Sequence, residues 1–124
     1  MVSWHGHALT PTLGLQIPEG LAELDANSVY REALRKAARV WEDVVEEVGG
    51  WAAQYVVPIG FNYHVLANTN LRELFHLVEL RSGKGGHTTY RRIAQELHKQ
   101  VEWEWPWAAK YMRCDHGEYE FARE

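Results

Sequence analysis

Apolar residues recur at every third or fourth position along most of the chain after residue 25, which is the spacing of one buried helix face. The first such stripe runs up to Gly49 and Gly50, and glycine is the residue type that most often ends helices. Its members are Tyr30, Leu34, Ala37, Trp41, Val44 or Val45, and Val48. The pattern predicts a long helix that begins at a capping residue within Asp25–Ser28.

Two shorter helices are predicted in the middle of the chain. One covers Trp51–Val57 and stops at Pro58, because proline lacks the amide hydrogen that a helix interior needs. The other covers Leu71–Leu80 and is capped by a residue within 68–70, which reads Asn-Thr-Asn. Its predicted buried face consists of Leu71, Leu74, Phe75 and Val78.

A glycine-rich stretch, S-G-K-G-G at residues 82–86, separates that helix from the next one. Thr88 or Thr89 is the predicted cap of this following helix. Its apolar stripe is Tyr90, Ile93 or Ala94, Leu97 and Val101. Pro106 suits the first turn of a last short helix.

The segment before the third helix alternates instead, with Phe61, Tyr63, Val65 and Ala67 on one side. Period-two alternation is typical of a strand, so one strand is predicted over Phe61–Thr69. The predicted fold class is therefore α+β, mainly α, with four to five helices and one strand.

Three regions are predicted along the chain. Residues 1–25 show neither helical nor strand spacing and are predicted to form an extended arm or linker. Residues 26–113 are predicted to form a helical domain. Residues 114–124 are an acidic tail that we expect to fray.

Composition and charge exclude several function classes. The formal net charge of −4 argues against a nucleic-acid binder, since such domains are usually basic. No apolar run approaches the roughly 20 residues of a membrane span, and the N-terminus lacks the pattern of a signal peptide. The single cysteine excludes an internal disulfide and is compatible with a reducing compartment. We expect a cytoplasmic protein that contacts neither nucleic acid nor membrane.

The glycine-rich stretch is a candidate anion site. It leads into a helix N-terminus, where free amide groups and the helix dipole favour an anion. Arg81, Lys84, Arg91 and Arg92 surround it with positive charge, although the P-loop pattern is absent. The alternative is a flexible hinge with solvated arginines.

A second candidate is the polar face of the third helix, which carries Arg72 and His76 one turn apart, with Asn70 just before it. Glu79 lies on the same face and would be able to pair with either residue. The alternative to a binding role is a solvated face. Together with Arg81 and the glycine-rich stretch, this face would line one cleft suited to an anionic nucleotide.

No metal site is predicted. His5 and His7, and likewise Cys114 and His116, are spaced one residue apart, but these pairs lie in stretches expected to be mobile. Neither pair has the spacing of a structural zinc site. Trp103, Trp105 and Trp107 cannot share one helix face, and they are predicted to pack at an interface.

The sequence from "AAQYVVPIGFNYHVLANTNLRELFHLVELRSGKGGH" onward resembles the C-terminal half of the flavin-dependent thymidylate synthases. That family shows "A-R-x-x-L-P" at a helix end, then a strand, then an "N-A-R-S-L…L-x-L-R" helix and a loop opening on "H-A-Q-W-E". The matching segments here are Tyr55–Pro58, Phe61–Thr69, 70–81 and His87 onward. The resemblance covers about Tyr30–Trp107.

The resemblance implies an enzyme that converts dUMP to dTMP with methylenetetrahydrofolate, and with NADPH as reductant by way of FAD. It places Asn70, Arg72, His76 and His87 at FAD contacts, and Arg81 at the pyrimidine of dUMP. It also implies a homo-oligomer, or pairing with an N-terminal half that these residues lack.

The sequence departs from the family pattern at several places. The signature R-H-R-x(7)-S-x-R, which belongs to the N-terminal half, is absent from these 124 residues. Gln54 stands where the family has an arginine, and His87–Arg91 replaces H-A-Q-W-E after a longer loop. We expect a piece of a longer polypeptide, such as the diverged second copy of a double-length member, that is inactive in isolation. The alternative is a non-catalytic assembly module of the same fold.

Overall fold

A computed structural model describes residues 3–119, which divide into two compact units. The N-terminal unit comprises residues 4–67, and the C-terminal unit comprises residues 68–119 together with Ser3. In chain order the described elements are β1 (Ser3–Gly6), a 3-10 helix (Pro11–Leu13), α1 (Glu19–Ala22), α2 (Ala26–Val48), α3 (Gly50–Ala53), a second 3-10 helix (Gln54–Val56), β2 (Val65–Asn68), α4 (Leu71–Ser82), α5 (Thr88–Glu104) and α6 (Pro106–Ala109). The predicted class, α+β and mainly α, is confirmed.

The long helix α2 organises the N-terminal unit. Leu34 is buried against Val57 and Phe61, and Tyr30 and Trp41 pack on this cluster. The helix ends where the sequence predicts, because Gly49 adopts a φ of 78°. Residues other than glycine rarely adopt this backbone conformation.

The first 25 residues contain more regular structure than the sequence predicts. Besides β1, the 3-10 helix and α1, residues 14–16 are bonded to the chain near Phe61. The amide of Gln16 donates to the carbonyl of Gly60 at 2.8 Å, and the amide of Asn62 donates to the carbonyl of Gly14 at 2.9 Å. The expectation of irregular chain is therefore wrong for this region. Residues 1 and 2 lie outside the described residues, and the predicted domain boundaries stay predictions.

The predicted strand is present but shorter than expected. Only Val65–Asn68 is strand, it pairs with β1, and all four of its residues are exposed. Of the alternating residues only Phe61 is buried, and it belongs to an isolated bridge with Leu15. The alternation therefore does not mark a buried sheet face, and the partner strand was not predicted.

Helices α4, α5 and α6 form the core of the C-terminal unit. Val78 of α4, Val101 of α5 and Met112 after α6 are buried together, with Leu71, Leu74, Phe75 and Leu97 packed against them. The predicted core face of α4 is thus confirmed. On α5 the buried alternative is Ala94, whereas Ile93 is exposed. None of the described helices is long and apolar enough to cross a membrane.

Candidate functional site

Helix α4 presents the candidate residues on two opposite flanks. Each residue of an α-helix advances by about 100°, so His76 lies only about 40° around the axis from Arg72. Arg81 lies nine residues after Arg72 and therefore about 180° away, on the other side of the core-facing Val78. A single α4 helix does not bring Arg72 and Arg81 to one face, and the shared cleft stays a prediction.

The first flank, which we call the α4 donor pair, consists of Arg72 and His76. Both side chains are exposed, and neither has a hydrogen bond or an ion pair within residues 3–119. Glu79, the acid that would be able to neutralise them, accepts a hydrogen bond from the Arg113 amide at 3.1 Å instead. The pair is therefore left as a set of donors with no protein partner in the described part of the chain.

The second flank brings Arg81 and His87 together around Tyr90. The Arg81 guanidinium lies 5.2 Å from the centroid of the Tyr90 ring, a cation–π contact that orients it. The His87 ring lies 6.3 Å from that of Tyr90, and its Nδ1 accepts from the Thr89 amide at 3.2 Å as the cap of α5. We call this set the Tyr90 cluster, and it lies at the N-terminus of α5, where an anion is favoured.

Tyr90 is the residue of this candidate site that the sequence analysis did not identify. Its place in the apolar stripe of α5 assigned it to the core, but it is only half-buried and supports Arg81. The available signal was an aromatic residue three positions after the cap, within reach of a helix-ending arginine.

Asn70 has a definite structural task. Its side-chain oxygen accepts a hydrogen bond from the Glu73 amide at 2.9 Å, so it is the N-cap of α4. This confirms the predicted cap. Its contact with FAD stays a prediction, as do the ligand contacts of the other four candidates.

The glycine-rich stretch turns closely around protein atoms. A Cβ added at Gly86 would lie 2.6 Å from Tyr90 Cε2 and 2.9 Å from Arg91 Cγ, so only glycine fits there without displacement. Gly83 and Gly85 have open space at the same position, and neither has a positive φ. The stretch thus lets the backbone pass Tyr90 and Arg91 at the start of α5.

Arg91 is not available to an anion. It is buried, and its Nε donates to the Ser82 carbonyl at 3.4 Å while its Nη atoms donate to the carbonyls of Gly117 and Tyr119. Its predicted role as part of a positive surface is therefore wrong.

The segment after α6 is fixed by these and further bonds. The Asp115 amide donates to Ser82 Oγ at 2.9 Å, and Gln95 Nε2 donates to the Asp115 carbonyl at 2.9 Å. The hydrogen bond that Tyr119 donates to Asp115, together with the negative charge of that carboxylate, raises the pKa of the Tyr119 phenol. The expected fraying is wrong for residues 114–119, and residues 120–124 lie outside the described residues.

Comparison with known proteins gives one family match and three relatives that this chain matches over part of their length. The sequence pattern of the family described as thymidylate synthase complementing protein matches residues 8–107. The UPF0159 protein Ta1429 of Thermoplasma acidophilum is 34% identical over 117 residues, which cover 93% of this chain and 23% of that protein. A UPF0159 protein of Chlamydia muridarum is 40% identical over 93 residues, covering 75% of this chain and 17% of its own length. A relative from Chlamydia pneumoniae is 35% identical over 88 residues, 71% of this chain and 16% of that protein. The chain therefore spans less than a quarter of each of these relatives.

Proposed function

Because the chain belongs to the family of thymidylate synthase complementing proteins, we propose that it contributes part of an FAD and nucleotide site to a flavin-dependent enzyme that methylates dUMP. A role related to thymidylate synthesis follows from the family. Beyond that role, we propose the flavin, the dUMP substrate, the NADPH reductant and the shared site. It concerns an assembly that includes more protein than these residues, since the matched relatives are much longer.

The α4 donor pair carries the flavin half of the proposal. Arg72 and His76 are exposed donors without a protein partner in residues 3–119, and their acidic neighbour Glu79 is engaged elsewhere. The pyrophosphate of FAD is an anion and its ring system is rich in acceptors, so the donor chemistry of the pair fits this cofactor. Bound FAD would supply the hydride chemistry, and the pair would bind and orient it.

The Tyr90 cluster carries the nucleotide half. Arg81 has no carboxylate partner in the described part of the chain and is oriented by the Tyr90 ring. A guanidinium held in this way presents a fork of donors that is complementary to the carbonyl oxygens of a pyrimidine. We assign it the pyrimidine of dUMP, with His87 and the N-terminus of α5 placed to meet a phosphate.

The isolated chain is proposed to be inactive. Residues expected in the family's N-terminal half are absent, and Gln54 cannot supply the charge of the arginine that it replaces. The two flanks of α4 also point in opposite directions, so a complete site needs a second contribution to each flank. Another protomer or another part of a longer polypeptide would supply that contribution.

A second candidate, a non-catalytic assembly module, is favoured by a specific observation. Trp103, Trp105 and Trp107 are 82%, 48% and 63% exposed around the junction of α5 and α6. Exposed tryptophans are enriched at protein interfaces, which supports the predicted packing of these residues against a partner. Assembly and ligand binding are compatible, because the tryptophans and the α4 donor pair are different residues.

The test is a titration of FAD with the purified chain, followed by flavin fluorescence anisotropy, with mass determined in parallel by light scattering. We expect saturable binding that Arg72→Ala weakens roughly 10- to 100-fold. This factor corresponds to the loss of a hydrogen bond from a charged group, which contributes about 1.5–3 kcal/mol. Arg39→Ala, which removes an exposed arginine from α2, is the matched control and should leave the affinity unchanged.

Two outcomes decide between the candidates. Unchanged affinity in Arg72→Ala contradicts the assignment of the α4 donor pair to FAD. If the wild-type chain shows no binding, the titration is repeated on the longer natural polypeptide. Binding there supports a half-site, and its absence supports the assembly module.

A further inference from the structure

Three side chains able to bind a metal ion meet in the C-terminal unit. They are His98 of α5, and Cys114 and His116 from the segment after α6. One ligand atom from each residue lies within 4.8 Å of the other two. The rings of His98 and His116 have centroids 5.1 Å apart at an interplanar angle of 66°.

His98 supplies an independent indication of a ligand. Its side chain is 9% exposed, and its Nδ1 is buried without a hydrogen-bond partner among the described residues. Buried polar atoms almost always have a partner, because leaving one unpaired is costly. A metal ion is one kind of partner that would satisfy such an atom.

The protein holds the other two ligands in place. Asp115 lies between them and is fixed by its amide bond to Ser82 Oγ and by the bond from Gln95 to its carbonyl. Arg91 fixes Gly117 on the far side of His116. Cys114 and His116 are therefore presented toward α5 by contacts that do not involve a metal ion.

We propose that His98, Cys114 and His116 bind a zinc ion. One thiolate and two imidazoles are ligands that zinc prefers, and tetrahedral coordination leaves one position for water or a further ligand. Tetrahedral zinc separates its ligand atoms by about 3.3–3.7 Å, so the set must close slightly. The exposed side chain of His116 is free to make this adjustment.

Zinc binding must displace the thiol proton. The metal ligand is the thiolate and not the thiol. Metal binding releases that proton, as at other cysteine-containing sites. The bound ion would then tie the segment after α6 to α5 at a point where the protein already holds it.

The sequence argued against a metal site for reasons that the structure removes. Cys114 and His116 lie in a stretch that the sequence predicts to be mobile, and one cysteine is too few for the usual thiolate sets. The third ligand, His98, lies sixteen positions before Cys114 on a helix, a spacing that matches no zinc motif. Only the packing of the segment against α5 brings the three together.

The test is binding of zinc chloride, and of cobalt(II) as a spectroscopic probe, to the full chain in the presence of a non-thiol reductant. We expect one metal ion per chain, a thiolate-to-cobalt charge-transfer band and a rise in melting temperature of at least about 5 °C at saturating zinc. Cys114→Ser should abolish the charge-transfer band. It should also lower the affinity by more than about 100-fold, since loss of an outer-shell partner alone costs about 10- to 100-fold.

His116→Gln keeps the result interpretable, because this exposed side chain can be replaced with the fold intact. It should weaken zinc binding as Cys114→Ser does. The double variant His5→Gln/His7→Gln, which removes two exposed histidines of the N-terminal unit, is the control and should bind as the wild type does. The proposal is overturned if the wild type binds no zinc at micromolar concentration. It is equally overturned if binding survives both Cys114→Ser and His116→Gln, or is lost in the double variant alone.

Discussion

The Arg91 guanidinium lies 4.5 Å from the centroid of the Tyr119 ring, although the two residues are 28 positions apart in the sequence. Arg91 is only 3% exposed and bonds three backbone carbonyls, one at the end of α4 and two in the segment after α6. A buried charge is tolerated only when it is well paired. Arg91 thus joins two parts of the C-terminal unit.

Replacing Arg91 should destabilise the chain. Arg91→Gln leaves carbonyls without their charged donor, and we expect a loss of about 2–4 kcal/mol in the free energy of unfolding. Arg91→Lys keeps the charge but loses the planar fork, so its loss should be smaller. Urea denaturation followed by far-ultraviolet circular dichroism measures both.

Lys99→Gln is the control for Arg91. Lys99 is an exposed cation on the same helix that pairs with Glu96 at the surface, and its loss should cost under about 0.5 kcal/mol. If Arg91→Gln proves as mild as Lys99→Gln, the joining role of Arg91 is wrong.

Gly86 should be intolerant of a side chain, unlike its neighbour. Gly86→Ala places a methyl group against the Tyr90 ring and against the stem of Arg91, whose guanidinium is fixed. We expect a loss of about 1–3 kcal/mol in the free energy of unfolding. Gly85→Ala meets open space and should be neutral or stabilising by up to about 1 kcal/mol. Equal midpoints of urea denaturation for the two variants would contradict the close packing at Gly86.

Asn70 should behave as a helix cap whatever its ligand. Asn70→Ala removes the acceptor for the Glu73 amide and should cost about 1 kcal/mol of stability. Asn70→Ser keeps a capping oxygen and should restore most of that loss. A thermal or urea unfolding series on the three proteins gives the values, and an alanine variant as stable as the wild type would refute the cap. Reduced FAD affinity in the stable Asn70→Ser variant would in addition support the predicted flavin contact.

Trp103 should be an anchor of self-association. It is the most exposed of the three tryptophans near α6, and buried tryptophans at interfaces commonly contribute about 2 kcal/mol or more. Trp103→Gln should therefore weaken oligomer formation by about 30-fold or more, as measured by sedimentation equilibrium. Trp51→Gln, which changes a 73% exposed tryptophan of the N-terminal unit, is the control. Similar association constants for both variants and the wild type would exclude Trp103 as an anchor.

Helix α4 was predictable because its determinants are local, whereas α5 is capped by His87 and not by the predicted Thr88 or Thr89. The core face of α4 follows from the spacing of its apolar residues, and its start follows from the cap at Asn70. The same holds for α2, whose end at Gly49 is a property of one residue. The family resemblance rests on this local order and is confirmed by the family match.

The features that the sequence did not yield all depend on contacts between distant residues. An arginine next to another arginine is normally solvated. The sequence around Arg91 does not indicate that its partners are carbonyls 26 and 28 positions later. The hydrogen bond from Asn62 Nδ2 to the Leu13 carbonyl spans 49 positions. It holds part of the predicted arm against a distant segment of the chain. The division of the candidate residues between two flanks follows from helix geometry, but only once α4 is known to continue without a break through Arg81.

The most direct test of the central claim is a cross-comparison of ligands and flanks by calorimetric titration. FAD and dUMP are each titrated into the Arg72→Ala and Arg81→Ala variants. The variants are made in the polypeptide that binds both ligands, and its unmodified form is the reference. We expect Arg72→Ala to weaken FAD binding roughly 10- to 100-fold and to leave the dUMP affinity unchanged, and Arg81→Ala to do the reverse. If both variants weaken both ligands equally, or neither variant weakens either ligand, then α4 does not separate a flavin flank from a nucleotide flank.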